Sequence, residues 1–140
     1  MTQEEKELLL KDLCGRLPFG VKVKDLSTQA DTTIEVLGIK EHFVLVDEYT
    51  RFGNVYDSIS VEYVKPYLRP MSSMTTNEEY EYHQYCAIDF NDFAEEHLKL
   101  LSQTALCFSN HIDWLNAHHF DYRELISMGL ALEAPEGMYK

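Results

Sequence analysis

Two histidines, an aspartate and an arginine stand close together in the segment WLNAHHFDYREL, residues 114–125. Imidazole, carboxylate and guanidinium groups at short spacing are the groups that acid–base catalysis and metal binding use. Neighbouring residues of a helix, however, point about 100° apart, so His118 and His119 could hardly face one ion together. A hydrogen bond between His119 and Asp121 would lock a corner of the chain more readily than it would perform catalysis. We therefore interpret the segment as structural.

The residues on either side of this segment favour a corner between two short helices. Asn110 and Asp121 each stand three residues before an acidic residue, which is the spacing of a helix start. Gly129 would end the second helix. The sequence thus predicts a helix–corner–helix over residues 110–129, with the single tryptophan packed between the two helices. A recognition helix for DNA is a poor interpretation, because the second helix carries more acidic than basic residues.

A second group of residues has the spacing of zinc ligands. His83 and Cys86 lie three residues apart, and Cys107 and His111 lie four apart, so each pair would share one face of a helix. Together they would make a Cys₂His₂ set, although their order along the chain is not that of a standard zinc motif. The structural interpretation of Cys107 is a buried core thiol. We predict no metal and no cofactor, and keep these four residues as the alternative.

The net charge of −12 is unevenly divided along the 140 residues. Residues 1–70 carry 9 basic and 12 acidic side chains, whereas residues 71–140 carry 3 and 12. Phosphate backbones and anionic membrane surfaces would be repelled, chiefly by the second half, and a basic protein would be attracted. The charge pattern therefore predicts no binding to nucleic acid or membranes. It favours a protein partner, and the alternative is that the charge only keeps a small protein soluble.

The cellular location is predicted from three further features. The chain has no run of about 18 apolar residues that could cross a membrane. Its first residues, MTQEEKELLLKDL, lack the basic start and apolar stretch of a secretion signal. Three widely spaced cysteines are an odd number and fit reduced thiols better than a disulfide framework. These features predict a cytoplasmic protein.

Changes in hydrophobic period predict an α+β protein with three regions. Residues 1–18 should hold an N-terminal helix over 2–14, because Thr2 and Glu5 fit a capping box. Residues 19–70 alternate in five short strands, with a 3₁₀ turn at SVEYV before the last. We predict a small SH3-like antiparallel β-barrel there, since closure removes exposed edges. The alternative is an open antiparallel meander covered by the first helix.

Residues 71–140 are predicted to be an acidic helical region. One helix should cover residues 77–86, with Thr76 and Glu79 as its capping box. A further helix should start at Asp89 or Asn91 and run to about Ser102. Acidic and aromatic residues alternate in this region, a pattern that suits either a solvated helix face or a surface for a basic partner.

The candidate partner-binding residues combine this acidic pattern with the corner. Their side chains are carboxylates, aromatic rings, imidazoles and one guanidinium, which is expected to pair with a carboxylate. The candidates are Glu78, Glu79, Tyr80, Tyr82, Trp114, His118, His119, Asp121 and Arg123.

Two stretches of the sequence, VKPYLRPMSSMT and IDWLNAHHFDYRELISMGLALEAPEGMY, carry a resemblance to a known family. They resemble signatures of small uncharacterised proteins from gut bacteria, their mobile elements and their phages. The resemblance implies an accessory or host-modulating role but transfers no activity, cofactor or catalytic residue. We predict a non-catalytic protein-interaction module; the alternative is a metal-dependent enzyme that uses the C-terminal histidines.

Overall fold

The computed structural model describes residues 1–28, 33–50, 53–85 and 97–139. In these ranges the chain is an α+β structure in which an N-terminal helix lies on a six-stranded mixed sheet. The helices are α1 (Gln3–Arg16), α2 (Thr76–Tyr85) and α3 (His97–Ala117). The strands are β1 (Lys22–Asp25), β2 (Thr33–Lys40), β3 (Phe43–Thr50), β4 (Gly53–Ser60), β5 (Val64–Leu68) and β6 (Leu132–Glu133).

Helix α1 confirms the predicted N-terminal helix and its cap. The Thr2 side chain accepts a hydrogen bond from the Glu5 backbone, and the Glu5 carboxylate accepts one from the Thr2 backbone. A 3₁₀ turn with proline near its start follows at Leu17–Phe19. Gly20 then takes a φ of 73°, a left-handed conformation that lets the chain reverse into β1.

The sheet has the strand order β4-β3-β2-β1-β5-β6. Strands β1 to β5 pair antiparallel, and β6 joins β5 in parallel. A tight hairpin at residues 41–42, in the region where the sequence predicts successive short strands, joins β2 to β3, with Glu41 at a φ of 56°. The predicted 3₁₀ turn before β5 is also present, at Val61–Tyr63.

The antiparallel pairing predicted for residues 19–70 is present in β1 to β5. The predicted barrel, however, does not close: the sheet is open, and it is mixed because β6, from outside that range, joins it in parallel. Among the described residues, β4 and β6 lie at opposite edges of the sheet and do not pair. Strand β5 contains Pro66 and is nevertheless no edge strand, because it is flanked by β1 and β6. The sequence did not predict the sixth strand, because β6 is only two residues long and comes from the distant C-terminal segment. So short a strand has no periodicity that a sequence could reveal.

The predicted helix–corner–helix is also wrong. Helix α3 runs continuously from His97 to Ala117, so Asn110 lies inside it and does not start a helix. Residues 122–129 are mostly turns. Glu124 has a φ of 61°, and this left-handed conformation breaks any helix that begins at Asp121. The part of the proposed helix at 89–96 lies outside the described residues.

Helix α2 starts one residue earlier than predicted, and its cap is shifted by one. The Glu78 backbone N–H donates to the Thr75 hydroxyl at 3.2 Å, and the Thr75 N–H donates to the Glu78 carboxylate at 3.1 Å. The capping box is therefore Thr75–Glu78 and not Thr76–Glu79. Both pairs have the right spacing, and the structure selects the one whose glutamate also contacts Arg69.

The main core joins all three predicted regions. Leu9 and Leu13 of α1 pack on valines of β1, β2 and β3, and Leu125, Leu130 and Ala131 of the C-terminal region belong to the same cluster. A second, smaller cluster holds Trp114, Leu115 and Phe120. None of the described helices has the length and apolar character that a membrane crossing requires.

Candidate functional site

The corner at residues 118–120 is the end of helix α3, closed by a Schellman motif. The His119 N–H donates to the Asn116 carbonyl at 3.1 Å, and the Phe120 N–H donates to the Leu115 carbonyl at 2.9 Å. His119 has a φ of 62°, the left-handed position that glycine usually fills. A side chain there costs about 1–2 kcal/mol, so neighbouring contacts must hold it in place.

Trp114 anchors the corner on the α3 side. Its side chain is 6% exposed, and its ring lies 5.3 Å from the Tyr82 ring and 3.8 Å from the His118 ring, centre to centre. Nδ1 of His118 is 2.9 Å from the Trp114 carbonyl oxygen. Because a carbonyl only accepts hydrogen bonds, Nδ1 carries a proton, and Nε2 is an acceptor when the ring is in its neutral form.

Tyr82 joins α2 to α3 through the same aromatic cluster. Its hydroxyl forms a short hydrogen bond with Nδ1 of His111, and their rings meet edge to face. Tyr82 also lies within 5.7 Å of the His83 ring. His111 is therefore engaged by Tyr82 in the structure, a contact that the zinc hypothesis did not foresee.

Asp121 fixes the chain that leaves the corner. Its two carboxylate oxygens accept hydrogen bonds from the backbone N–H groups of Leu125 and Ile126, both at 2.9 Å. The side chain is buried, so these charge-assisted bonds replace its lost hydration. This is a capping role, as predicted, but it stabilises one turn instead of a helix.

A buried ion pair beneath the corner was missed by sequence reasoning. Arg16 donates from Nε and Nη2 to the two carboxylate oxygens of Asp12, at 2.7 and 3.0 Å, and both side chains are fully buried. Nη2 of Arg16 also donates to the Phe120 carbonyl at 2.8 Å. Nε of Arg123 lies 3.3 Å from Asp12, which confirms the predicted pairing of Arg123 with a carboxylate. The four-residue spacing of Asp12 and Arg16 beside Leu9 and Leu13 was the available signal.

Arg69, just after β5, ties the corner to the sheet by its backbone. Its N–H donates to the His119 carbonyl and its carbonyl accepts from the Asp121 N–H, both at 2.8 Å. Its guanidinium lies 4.2 Å from the centre of the Phe120 ring and donates two hydrogen bonds to Glu78, at 2.7 and 2.8 Å. The Arg69 hydrogen bonds lower the pKa of Glu78 to about 2.

The C-terminal segment closes over the corner. The Tyr139 ring stacks on His119 with centres 3.5 Å apart, and its hydroxyl donates to the Tyr67 carbonyl at 2.6 Å. Nζ of Lys22 donates to the Met138 carbonyl at 3.0 Å. Burial raises the pKa of Tyr139 to about 12, so its hydroxyl keeps its proton and remains a donor. These contacts hold His119 in its left-handed conformation.

A half-open groove of about 650 Å³ lies between this segment and the start of α2. Glu133 and Glu136 of the C-terminal segment line the groove and are exposed. His118 and the Arg69–Glu78 pair also line it. Among the described residues, no cation pairs with either of the two exposed glutamates. The full lining is Arg69, Pro70, Ser73, Thr75, Glu78, His118, Glu133, Ala134, Pro135, Glu136, Gly137, Met138 and Tyr139.

The two adjacent histidines have different surroundings. Burial, followed by the nearby positive charge of Arg16, lowers the pKa of His119 to about 4. His119 is therefore neutral near pH 7, and its buried Nδ1 has no hydrogen-bond partner among the described residues. His118 stacks on Trp114 and lines the groove, whereas His119 stacks on Tyr139. The pair does not converge on one point.

The hypothetical zinc ligands are only partly described. Cys86 lies outside the described residues, and the four-residue hypothesis therefore stays untested as a whole. His83 is exposed and lies 3.9 Å from Glu79. Within residues 1–28, 33–50, 53–85 and 97–139, no three His, Cys, Asp or Glu side chains come together as a metal site.

The predicted partner-binding residues do not form one surface. Trp114, His119 and Asp121 are at most 7% exposed and serve the interior of the corner. Glu79 and Tyr80 are exposed on α2 and do not line the groove. The remaining candidates divide as follows: Glu78 and His118 line the groove, and Tyr82 and Arg123 are partly buried beside the corner.

The two sequence stretches that carry the family resemblance meet at this site. Arg69 of the first stretch bonds to His119 and Asp121 of the second, and Tyr139 of the second bonds to Tyr67 of the first. Comparison with models of known protein families, with curated proteins and with solved structures finds no match for the chain.

Proposed function

We propose that this chain is a non-catalytic interaction module that binds a basic segment of another protein in the groove. The observation that carries the proposal is the chemistry of the groove lining. Glu133 and Glu136 offer exposed carboxylates, and Nε2 of His118 is left as an acceptor. The one cation among the described lining residues, Arg69, is already neutralised by two hydrogen bonds to Glu78. A lysine or arginine side chain supplies the donors that such a lining lacks.

The shape and rigidity of the groove support the same proposal. Pro70, Pro135, Met138 and Tyr139 give it apolar surface for the stem of a long basic side chain. Its walls are held by Tyr139 and by the Arg69–Glu78 pair, so little ordering is left to occur on binding. The overall charge of −12 would also draw a basic partner toward the protein.

The competing enzyme hypothesis lacks a corresponding observation. Catalysis by the C-terminal histidines needs a nucleophile, a base and an orienting group within hydrogen-bond reach of one another. His118 is oriented by a backbone carbonyl, but no described hydroxyl, thiol or second imidazole is bonded to its Nε2. His119 is buried under Tyr139. We therefore assign both rings to structure and to ligand contact.

A peptide titration tests the proposal. A fluorescent decalysine peptide should raise its anisotropy on addition of the protein, and a decaglutamate peptide should not. The double variant Glu133→Gln, Glu136→Gln should weaken decalysine binding by about tenfold or more, since two charge-assisted contacts are lost. The matched control is Glu79→Gln, Glu81→Gln, which removes the same charge from the exposed side of α2 and should change affinity less than about twofold.

Two outcomes would overturn the proposal. One is an absence of decalysine binding at physiological salt. The other is equal weakening in the groove and control variants, which would show that attraction depends on net charge alone. Duplex DNA should not bind at that salt, where non-specific binders reach only about 10⁻⁴–10⁻⁶ M.

Three finer statements accompany the proposal. An SH3-like relationship is supported by the strand order β5-β1-β2-β3-β4 and by the 3₁₀ turn before β5, although the sheet is open. A cytoplasmic location is supported by Cys14, whose exposed thiol forms no disulfide among the described residues. An accessory role in a mobile element or phage rests on the family resemblance alone.

A further inference from the structure

The part of helix α3 from Ala105 to Ile112 carries an apolar stripe that the described residues leave uncovered. Ala105, Phe108 and Ile112 follow one another at spacings of three and four residues, which places them on one face of the helix. Phe108 is 65% exposed and Ile112 is 41% exposed. A helix normally buries such a face to gain its stability, so exposure of a large aromatic here indicates an interaction surface.

The stripe differs from the rest of the chain in its charge. No Asp, Glu, Lys or Arg occurs between residues 100 and 112, although residues 71–140 as a whole carry 12 acidic and 3 basic side chains. Depletion of charge is the compositional signal of the centre of a protein interface. A basic partner would find no carboxylates along this face, and an acidic partner would be repelled by the surrounding surface.

We propose that the stripe is the contact between two copies of this chain, in which residues 105–112 of the two α3 helices pack against each other about a two-fold axis. A second copy presents the same uncharged apolar stripe, so the contact is self-complementary. The alternation of three and four residues is the spacing that lets the side chains of one helix fit between those of another. Because residues 100–112 carry no Asp or Glu, two molecules of charge −12 can approach through this segment without opposing carboxylates from it.

The same helix provides a matched control. Leu106 is 60% exposed, nearly as much as Phe108, but lies about 160° around the helix from Phe108 and about 120° from Ile112 at about 100° per residue. A glutamate at residue 106 therefore adds the same charge to the same helix, but outside the stripe. The pair Phe108→Glu and Leu106→Glu separates a specific contact from a general loss of apolar surface.

Sedimentation equilibrium of the full chain tests the proposal. Each stripe is smaller than the roughly 800 Å² per partner of a standard stable interface, so we expect a weak dimer that dissociates in the micromolar range. The parent protein and Leu106→Glu should shift from monomer to dimer as concentration rises from about 5 to 500 μM, around the expected dissociation constant. Phe108→Glu and Ile112→Glu should remain monomeric across that range.

Three results would contradict the pairing: a parent protein that is monomeric throughout, a Phe108→Glu variant that still dimerises, or a Leu106→Glu variant that becomes monomeric. Circular dichroism checks that each variant is folded. If Phe108→Glu unfolds, the smaller change Phe108→Ser takes its place and should weaken dimerisation at least about tenfold, the loss expected from about 1.4 kcal/mol of buried apolar contact. Decalysine binding in the groove should be the same in all these variants.

Discussion

The C-terminal end and the middle of helix α3 both carry apolar side chains, but in different surroundings. Near its C-terminal end, Trp114 and Leu115 are each 6% exposed, whereas Leu106 and Phe108 are 60% and 65% exposed. The buried end meets α1, the residue after β5 and the C-terminal segment, all of which are far away in the sequence. Helix α2 also contacts α3 near this end, where the Tyr82 ring meets His111 and Trp114. Burial along this helix therefore depends on which distant segments reach it, more than on its own sequence.

Two ion pairs of the protein also differ in how deeply they are buried. Asp12 and Arg16 are fully buried and joined by two hydrogen bonds, and Arg16 continues to the Phe120 carbonyl. Lys6 and Glu62 form a single contact of 3.2 Å near the surface. A buried pair must remain complete, because either partner alone would be an unpaired charge in the interior. A surface pair loses little when it is broken.

The largest expected effect is at Asp12. Asp12→Ala leaves Arg16 buried without its counter-charge and also removes the partner of Arg123, and should lower the free energy of unfolding by about 3–5 kcal/mol. Urea unfolding measures this loss. Glu62→Ala, the control at the surface pair, should change stability far less than Asp12→Ala. Equal losses at the two sites would remove the distinction between the buried and exposed ion pairs.

A buried and an exposed aromatic residue should differ in how much they contribute to stability. Trp114→Ala should cost about 3–5 kcal/mol, because it empties the centre of the second core cluster. Tyr80→Ala removes a ring that is 66% exposed and should change stability by less than about 0.5 kcal/mol. Thermal melts of the two variants at equal concentration give the comparison. A Trp114→Ala protein as stable as its parent would mean that the cluster does not stabilise the corner.

Local elements were predictable from the sequence where local spacing determines them. The Thr2–Glu5 cap, the β2–β3 hairpin and the turn at Val61–Tyr63 depend on neighbouring residues, and all three are present. The candidate site was less predictable, because His119 is placed by Tyr139 and Arg69. A sequence pattern showed that His118 and His119 would diverge, but not that a stacked tyrosine covers one of them. Strand β6 was missed for the same reason, since its register comes from β5.

Substitution of Asp121 tests how much its side chain stabilises the turn that follows the corner. Asp121→Ala removes two charge-assisted hydrogen bonds to buried backbone N–H groups and should lower stability by about 1–3 kcal/mol. Asp113→Ala is the control, since Asp113 is exposed on the outer side of α3 and should stay within about 0.5 kcal/mol of the parent. Amide hydrogen exchange at Leu125 and Ile126 should accelerate only in the Asp121 variant.

A further expected effect is a dependence of stability on pH that comes from His119. Its pKa falls from 6.5 to about 4 on folding, so the folded protein binds fewer protons than the unfolded chain between these values. The contribution of His119 is complete above pH 6.5 and is lost as the pH falls toward 4. Glu78, with a pKa of about 2, contributes a separate loss between pH 4.5 and 2.

Urea unfolding at a series of pH values measures this dependence. The variant His119→Asn should lose the slope between pH 4 and 6.5, and asparagine tolerates the left-handed backbone. His83→Gln, at an exposed position, should keep the slope of the parent. A parent slope that His119→Asn leaves unchanged would assign the effect to another group.

The bond from Arg16 to the Phe120 carbonyl spans 104 residues and has a consequence for the rate of folding. Closing so long a loop is entropically expensive, so this contact should form late, after α1 and the local hairpins. Interactions absent from the folding transition state act mainly by slowing unfolding. The corner should therefore lengthen the lifetime of the folded protein with little effect on the speed of its formation. On a ribosome that adds about 5–20 residues per second, α1 waits at least several seconds before residue 120 exists.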